Sequence, residues 1–436
     1  MQAEPDGDSS ACPESKGTSP KNDASPTNKQ LRTKRIPDKT TGAVASIALD
    51  ARDEVDSSDA AANRCVGLPP QWVDILQCGL QRPPTTSGDT RVTHLPPSTR
   101  LVDLHTDWLL QYALETTLYD PSLYQRVRSR FNQVEGYLQA TSAAVLSCFR
   151  GADDWAAQTD PWAALDTLIT RVEAEFAGRI LCSPNDLQRN RDDVDGLCQA
   201  VIGIEGFDFL IRDAADLERL PALFDRGVRL FQPTYTASSK LAGSSQPGDD
   251  RGLADLGRDF LEALAALGPA PGKTGPRALV DLAHLNSRSC ADIIDWFERE
   301  PVRLDRLTPV YSHGAPAHAG FDTPRALSND NLARLRALGG VVGFSVGPPF
   351  FNSPRALKAA LEAAAELPFR GTPGIAGLAV GTDFMGVDQT LPELRNVEHV
   401  VSWIDGEFEP DTARSLIADH ARTLIELACG SPSNAT

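Results

Sequence analysis

Residues 278–313 have the sequence ALVDLAHLNSRSCADIIDWFEREPVRLDRLTPVYSH, and this stretch decides the fold. It contains two apolar runs, 278–284 and 308–313, whose length and composition are typical of buried strands. Between them, in 289–300, apolar residues recur at intervals of three and four, which is typical of an amphipathic helix. A strand, a helix and a second strand in this order predict a βα repeat with parallel strands.

The same alternation continues in both directions along the chain of 436 residues. Predicted strands are 101–106, 200–206, 228–234, 278–284, 308–313, 339–346 and 377–383. Predicted helices include 253–267, 289–300, 328–338, 354–367 and 411–429. The pattern predicts an α/β fold, a (β/α)8 TIM-type barrel, although the sequence places only seven of the eight strands.

The chain begins with a segment of different composition. Residues 1–65 are rich in Ser, Asp, Lys, Pro and Thr and nearly free of aromatic residues. Such a segment buries too little apolar surface to offset its ordering entropy, so we predict a disordered low-complexity tail. A lead-in segment, 66–100, combines a short apolar helix with proline-rich turns. The barrel is expected to occupy 101–430, with a helical insert, 108–199, after the first strand.

Composition limits the partners of the protein. The formal net charge is −17, and a strongly acidic protein repels both nucleic acid and anionic membrane surfaces. The eight cysteines have no CxxC spacing, which disfavours a zinc site built from thiolates. No apolar run approaches the ~20 residues of a transmembrane segment. We expect a soluble protein, cytoplasmic by default and periplasmic or extracellular if a leader was removed, and the sequence leaves a homodimer open.

Several predicted strands end on side chains that can bind a metal ion. These side chains belong to His105, Asp107, Glu205, His284, His313 and Asp383. Each has an ordinary alternative, because a histidine or a polar pair is often structural, a buried glutamate is often paired with arginine, and an aspartate often caps a helix. The C-terminal ends of barrel strands surround one mouth, so three imidazoles and three carboxylates arriving there predict a metal-dependent hydrolase.

The ordered pieces HTD, IGIEG, VDLAH, VYSH, PRALSND and VGTDFMGV, over about residues 100–430, resemble the membrane (renal) dipeptidase family, also called peptidase family M19. This family has His-x-Asp where most amidohydrolase-type metal-dependent hydrolases have His-x-His. The resemblance implies a binuclear zinc-dependent hydrolase with two Zn²⁺ ions. It would cleave the amide bond of small dipeptides through a metal-bridged water and tolerate a D-residue at the C-terminal side.

The resemblance also implies a metal-binding role for five of the side chains. His105 and Asp107 would bind one zinc ion, and His284 and His313 would bind the second. Glu205 would bridge the two ions, which makes it both a metal ligand and a catalytic residue.

Two further residues fall on functional positions of the family. Asp383 falls on the catalytic aspartate, which accepts the proton of the metal-bridging water. Arg325, in PRALSND, falls on the arginine that binds the C-terminal carboxylate of the substrate. The planar guanidinium, with its fork of donors, suits that role.

One position departs from the family pattern. The family strand after the bridging glutamate usually ends Leu-Thr-His, whereas 231–238 here is FQPTYTAS, with Tyr235 in place of a substrate-binding histidine. A phenol can donate a hydrogen bond to a developing oxyanion, but it carries no positive charge at neutral pH. Two alternatives to dipeptide hydrolysis therefore stay open. One is hydrolysis of another small amide, lactam or ester, and the other is a catalytically inactive metal-binding relative.

Overall fold

The computed structural model describes residues 100–110, 134–149, 158–191, 196–318, 320–387 and 389–430. The predicted disordered tail, 1–65, and the predicted lead-in segment up to residue 99 lie outside the described residues, so both stay predictions. Parts of the predicted insert lie outside them too, namely 111–133, 150–157 and 192–195.

The described residues contain eight parallel strands that hydrogen-bond to one another in chain order. Every strand residue except Gln199 is buried, as expected for a parallel sheet that is covered on both faces. The strands are β1 Leu101–Thr106, β2 Thr141–Cys148, β3 Gln199–Glu205, β4 Val228–Gln232, β5 Ala278–Asp281, β6 Leu307–Tyr311, β7 Val341–Phe344 and β8 Leu378–Val380.

The first and last strands meet and close the barrel. Thr106 forms a parallel bridge with Phe384. Beside this bridge, the backbone N–H of Asp107 donates to the carbonyl of Phe384 (3.0 Å), and that of Asp383 donates to the carbonyl of His105 (3.1 Å). The predicted (β/α)8 barrel is confirmed.

The strand that the sequence did not place is β2. It lies within 108–199, so the interpretation of that whole range as a helical insert is wrong, although helices also occur there. The strand has the sequence TSAAVLSC, in which Val145 and Leu146 are the only large apolar residues, so its own composition is a weak strand signal. Pairing with β1 and β3, more than its own propensity, makes it a strand.

Helices alternate with the strands and pack against them. They are α1 Val134–Ala140, α2 Pro161–Glu175, α3 Pro184–Arg191, α4 Leu220–Asp225, α5 Asp255–Leu267, α6 Ser287–Arg299, α7 Asn329–Ala337, α8 Pro354–Ala365, α9 Val397–Glu407, α10 Pro410–Arg414 and α11 His420–Ala428. The helices predicted from apolar periodicity are confirmed. The predicted closing helix, 411–429, is divided by a π-helical turn at Ser415–Asp419.

Six of the seven predicted strands end one to three residues earlier than the sequence pattern predicted, and the difference is largest at β5 and β8. The apolar runs suggested strands at 278–284 and 377–383, but β5 ends at Asp281 and β8 ends at Val380. The φ angles of His284 and Asp383 are 63° and 59°, in the left-handed region, which an extended strand cannot contain. The potential ligands therefore lie in loops just beyond these strands.

The described part of the chain bears on two expectations drawn from composition. None of the helices in the described ranges has the length and apolar character needed to cross a lipid bilayer. Cysteines 148, 182, 198, 290 and 429 are free thiols, and no cysteine belongs to the groups with metal-ligand geometry found in these ranges.

Candidate metal centre

The six side chains singled out by the sequence meet at the C-terminal end of the barrel. His105 lies in β1 and Glu205 is the last residue of β3. The other four lie in loops that follow β1, β5, β6 and β8. TIM-barrel enzymes carry their active sites at this end of the barrel.

One group of potential ligands surrounds Nε2 of His105. This atom lies 3.5 Å from Oε2 of Glu205, 3.8 Å from Oδ1 of Asp383 and 3.9 Å from Oδ1 of Asp107. Ligand atoms of His105, Asp107 and Asp383 all lie within 4.8 Å of one another. Because zinc binds nitrogen and oxygen ligands at about 2.0–2.2 Å, a single ion could contact several of these atoms.

A second group surrounds the other carboxylate oxygen of Glu205. Oε1 lies 3.1 Å from Nε2 of His284 and 3.8 Å from Nε2 of His313. The two Nε2 atoms lie 3.1 Å apart. Glu205 thus turns one oxygen towards each group, which is the arrangement that a bridging carboxylate requires.

Four of the six potential ligands are buried, His284 and Asp383 are partly buried, and some of their polar atoms lack hydrogen-bond partners. His105 is 1% exposed, and Asp107 and Glu205 are each 3% exposed. Both ring nitrogens of His105 and Oδ1 of Asp107 have no hydrogen-bond partner. Buried polar atoms without partners are costly and rare, and imidazole nitrogens and carboxylate oxygens are ligands that zinc takes in proteins. The residues present therefore fit a divalent metal.

Burial also sets the charges of the site. It lowers the pKa of His105 to about 4 and the pKa of both His284 and His313 well below the ordinary value. These imidazoles are neutral at neutral pH and keep a lone pair for a metal. Burial, and then the charge of Glu205, raises the pKa of Asp107 and the pKa of Asp383 well above the ordinary value. A bound cation would relieve this crowding of carboxylates.

Two of the potential ligands stand on strained backbone. His284 and Asp383 have positive φ angles, 63° and 59°, a region that residues other than glycine seldom occupy. The Asp383 conformation is held by its N–H bond to His105 and by its carbonyl, which accepts from the N–H groups of Gly386 (3.2 Å) and Val387 (3.1 Å). Strain of this kind is concentrated at functional sites.

Arg325, predicted to bind a carboxylate, has one guanidinium nitrogen without a hydrogen-bond acceptor. Nη1 donates to the hydroxyl of Tyr311 (3.2 Å), while the buried Nη2 has no hydrogen-bond partner. The guanidinium lies 5.7 Å from the ring centre of Phe350. Its charge opposes the rise in the pKa of Asp383, so its field reaches the metal-ligand cluster.

Tyr235 is also brought to the cluster. Its ring stacks on the imidazole of His284, with ring centres 4.3 Å apart, and lies 4.7 Å from the ring of Phe149. The loop is held by Asp208, whose two carboxylate oxygens accept from the backbone N–H groups of Tyr235 and Thr236, each at 2.9 Å. The structure thus gathers every residue that the sequence singled out, and the roles assigned to them stay predictions.

Sequence reasoning missed the side chains that hold the potential ligands in place. The hydroxyl of Ser147 donates to Oε2 of Glu205 (3.0 Å). Oγ of Ser312 lies 2.8 Å from Nδ1 of His313 and donates to Asp281 (2.5 Å). Two of these residues had a signal, because an aspartate in VDLAH and a serine in VYSH interrupt apolar runs.

Comparison with known proteins identifies the family. Residues 90–406 match the family model described as membrane dipeptidase, peptidase family M19. The chain belongs to this family. The resemblance noted from the sequence motifs is therefore confirmed, and the membrane dipeptidase match includes all eight strands of the barrel.

The curated relatives that match this chain are distant in sequence. An uncharacterised protein of Klebsiella pneumoniae is 26% identical over 195 residues, which are 43% of this chain and 63% of that protein. An uncharacterised dipeptidase of Schizosaccharomyces pombe is 26% identical over 243 residues, which are 52% of this chain and 53% of that protein. The aligned part thus spans 53% to 63% of the length of these two curated relatives.

Solved structures share the membrane dipeptidase fold. A metallopeptidase described as a dipeptidase of family M19 has a TM-score of 0.56 and 16% identity, and the alignment covers 76% of this chain and 99% of that chain. A metallopeptidase from Rhodobacter sphaeroides, solved with a phosphinate mimic of the dipeptide L-Ala-D-Ala, has a TM-score of 0.54 and 17% identity, with 76% and 99% covered. At these identities the likeness concerns the fold alone.

Proposed function

We propose that this chain is a binuclear zinc-dependent dipeptidase that hydrolyses the amide bond of a small dipeptide. The observation that carries the proposal is the position of Glu205, whose Oε2 faces His105 and whose Oε1 faces His284 and His313. Membership of the membrane dipeptidase family supports the same class of reaction.

Five side chains would hold the metal pair. His105 and Asp107 would bind one zinc ion, His284 and His313 would bind the other, and Glu205 would bind both. When bound, such a pair supplies a water of lowered pKa and polarises the scissile carbonyl. The protein's own part is to keep these groups buried, neutral or paired, and fixed before the substrate arrives.

Asp383 would move the proton in this reaction. Its raised pKa allows the carboxyl group to hold a proton nearer to neutral pH than an ordinary aspartate does. It would accept a proton from the attacking water as a general base and then deliver it to the leaving amine as a general acid. The position of its Oδ1, 3.8 Å from Nε2 of His105, supports this role.

Arg325 would bind the C-terminal carboxylate of the dipeptide. The unpartnered Nη2 supports this assignment, because a buried donor without an acceptor is costly until an anion reaches it. Tolerance of a D-residue at the C-terminal side is part of the proposal. It is supported by the relative from Rhodobacter sphaeroides, whose structure holds a mimic of L-Ala-D-Ala.

The position of Tyr235 favours a second candidate. Its ring stacks on His284, so the departure from the family's histidine lies beside the proposed metal ligands. A pocket altered at that point suits hydrolysis of another small amide, lactam or ester. An inactive metal-binding relative is less favoured, because Asp383, the residue proposed to move the proton, stands within the cluster.

The test begins with the metal. Protein prepared without chelator should contain close to two zinc equivalents by elemental analysis, and His284→Ala or His313→Ala should each lose at least one. The matched control is His399→Ala, since His399 lies in α9 and belongs to neither group with metal-ligand geometry. Zinc-loaded protein is then assayed against a mixed dipeptide library and against lactams and esters. Absence of bound transition metal would exclude the proposal, and hydrolysis of lactams or esters alone would favour the second candidate.

A further inference from the structure

Two buried aspartates repeat the same hydrogen-bond pattern in β1 and β5. Asp103 and Asp281 are both 0% exposed. Asp103 accepts the backbone N–H of Thr382 at Oδ1 (2.9 Å) and its hydroxyl at Oδ2 (2.6 Å). Asp281 accepts the backbone N–H of Ser312 at Oδ1 (2.9 Å) and its hydroxyl at Oδ2 (2.5 Å). In each case the partner comes from the loop after an adjacent strand.

Each aspartate joins two chain segments that carry potential metal ligands. In β1, Oδ1 of Asp103 also accepts the N–H of His105 (3.2 Å), while its partner Thr382 directly precedes Asp383. This aspartate therefore fixes the relative position of two members of the cluster, His105 and Asp383.

The second copy does the same for the two other histidines. Oδ1 of Asp281 also accepts the N–H of Ala283 (3.1 Å), which directly precedes His284. Its partner Ser312 directly precedes His313. The pattern thus recurs at both pairs of segments, which is unexpected if these aspartates only stabilise the barrel.

The hydrogen bonds of Asp281 in β5 continue through Ser312 to the imidazole of His313. Oγ of Ser312 lies 2.8 Å from Nδ1 of His313. Because the carboxylate of Asp281 accepts the hydroxyl proton of Ser312, the serine oxygen can only accept a hydrogen bond from His313. The proton of that imidazole then resides on Nδ1, and Nε2 keeps its lone pair.

That lone pair points into the metal-ligand cluster. Nε2 of His313 lies 3.8 Å from Oε1 of Glu205 and 3.1 Å from Nε2 of His284. The carboxylate oxygen cannot donate to this lone pair, which is therefore available to a cation or to an N–H of His284. The tautomer set by Ser312 is therefore the one that a metal ligand needs.

We propose that Asp281 and Ser312 are positioning residues that hold His313 as the Nδ1–H tautomer and so prepare its Nε2 for a metal ion. The inference rests on the proposed function in that His313 is taken as a zinc ligand, whereas the tautomer is a property of the metal-free protein. Hydrogen bonds of this kind typically change metal affinity by about 10–100-fold.

Three variants separate the contributions. Ser312→Ala removes the hydroxyl, and Ser312→Thr keeps it. Asp281→Asn reverses the polarity, because the amide oxygen is needed at the Oδ1 position, where two backbone N–H groups donate. The amide nitrogen then faces Ser312 and donates to its oxygen. The serine hydroxyl is left to donate to His313, which moves the imidazole proton to Nε2.

The first measurement is the tautomer of His313 in metal-free protein, by NMR of the full chain labelled with ¹⁵N at its seven histidines. His313→Gln assigns its signals. We expect the Nδ1–H form in the wild type and in Ser312→Thr, a mixture in Ser312→Ala, and the Nε2–H form in Asp281→Asn. An unchanged tautomer in folded Ser312→Ala and Asp281→Asn would overturn the inference, since a purely structural role predicts that outcome.

The second measurement is zinc affinity, by competition with a chelator of known affinity. Ser312→Ala should weaken one of the two zinc sites, the one that His313 would bind, by about 10–100-fold, and Ser312→Thr should restore it to within a few-fold. Ser289→Ala is the matched control, because its buried hydroxyl donates to the carbonyl of Arg251 (3.2 Å) and not to a potential metal ligand. Wild-type affinity in Ser312→Ala would contradict the inference. If the wild type binds no zinc, the proposed function fails, and the tautomer measurement still decides the positioning role.

Discussion

At the scale of single residues, Asp383 offers the clearest separation between metal binding and turnover. Asp383→Asn keeps the shape of the side chain and removes its basicity, and asparagine tolerates the left-handed backbone at this position. We expect kcat for dipeptides to fall by about 10²–10⁴-fold, the usual contribution of acid–base catalysis, with zinc content unchanged. Asp322→Asn, at an exposed position, is the control. Activity within a few-fold of wild type would move Asp383 to a structural role.

Tyr235 decides between the two candidate functions. If its phenol donates to the oxyanion, Tyr235→Phe should lower kcat/KM for dipeptides by about 10- to 10³-fold, as expected for the loss of one such donor. Tyr235→His should then retain or raise dipeptide hydrolysis. The measurement is kcat/KM for the three proteins at full zinc loading. Inactivity of both the wild type and the histidine variant would reject the dipeptidase and favour another amide, lactam or ester.

The sequence predicted the members of the metal-ligand cluster better than it predicted the hydrogen bonds that fix them in place. His105, Glu205 and His313 stand at the ends of apolar runs, and that position is visible in one dimension. The bond from Tyr235 to Asp208 joins residues 27 positions apart on different segments, and no pattern within either segment indicates it. Contacts between segments depend on how the strands align, which appears only once the barrel is closed.

At the scale of elements, one buried carboxylate in β1 joins that strand both to α1 and to the loop after β8. Asp103 accepts from the hydroxyl of Tyr137 (2.7 Å) as well as from Thr382. Tyr137→Phe should lower the free energy of unfolding by about 1.5–3 kcal/mol, the usual contribution of a hydrogen bond to a charged group. The change is measured as the midpoint of denaturant unfolding, with kcat/KM per zinc-loaded molecule as the control. An unchanged midpoint would show that solvent or another donor replaces the phenol.

The strands differ in how readily the sequence reveals them. β4 has the sequence VRLFQ and β5 has ALVD, and both contain large apolar residues between clear turns. β2 follows α1 directly and contains mostly small residues, so local propensity gives little sign of it. Small side chains allow close packing of a strand that is buried on both faces, and only the hydrogen bonds to β1 and β3 identify it.

At the scale of the whole molecule, metal binding and stability should depend on pH together. Burial lowers the pKa of His105 to about 4 and raises the pKa of Asp107 and of Asp383. In metal-free protein the folded state keeps these two protons at pH values where the unfolded state has already lost them. The free energy of unfolding therefore falls as pH rises from the ordinary pKa of an aspartate through the raised pKa values. Zinc displaces those protons, so its affinity should increase with pH.

We therefore expect the difference in Tm between zinc-loaded and metal-free protein to widen from pH 5 to pH 7.5. Calorimetry with saturating zinc and with chelator, at several pH values, measures it. Zinc titrations in two buffers of different protonation enthalpy serve as the control, since they count the protons released. A constant difference, or no proton release, would contradict the charge states described for the cluster.

The barrel closes between two segments that lie far apart in the sequence. Thr106 and Phe384, which meet at the closure, are 278 positions apart in sequence. A cation held by His105 and Asp107 would lie on the β1 side of this junction, where backbone hydrogen bonds of Asp107 with Phe384 and of Asp383 with His105 join the two segments. Holding such a long loop closed costs conformational entropy, but that cost grows only slowly with loop length. Because hydrogen bonds of the protein itself make this closure, removal of the metal by a chelator should leave the first and last strands joined.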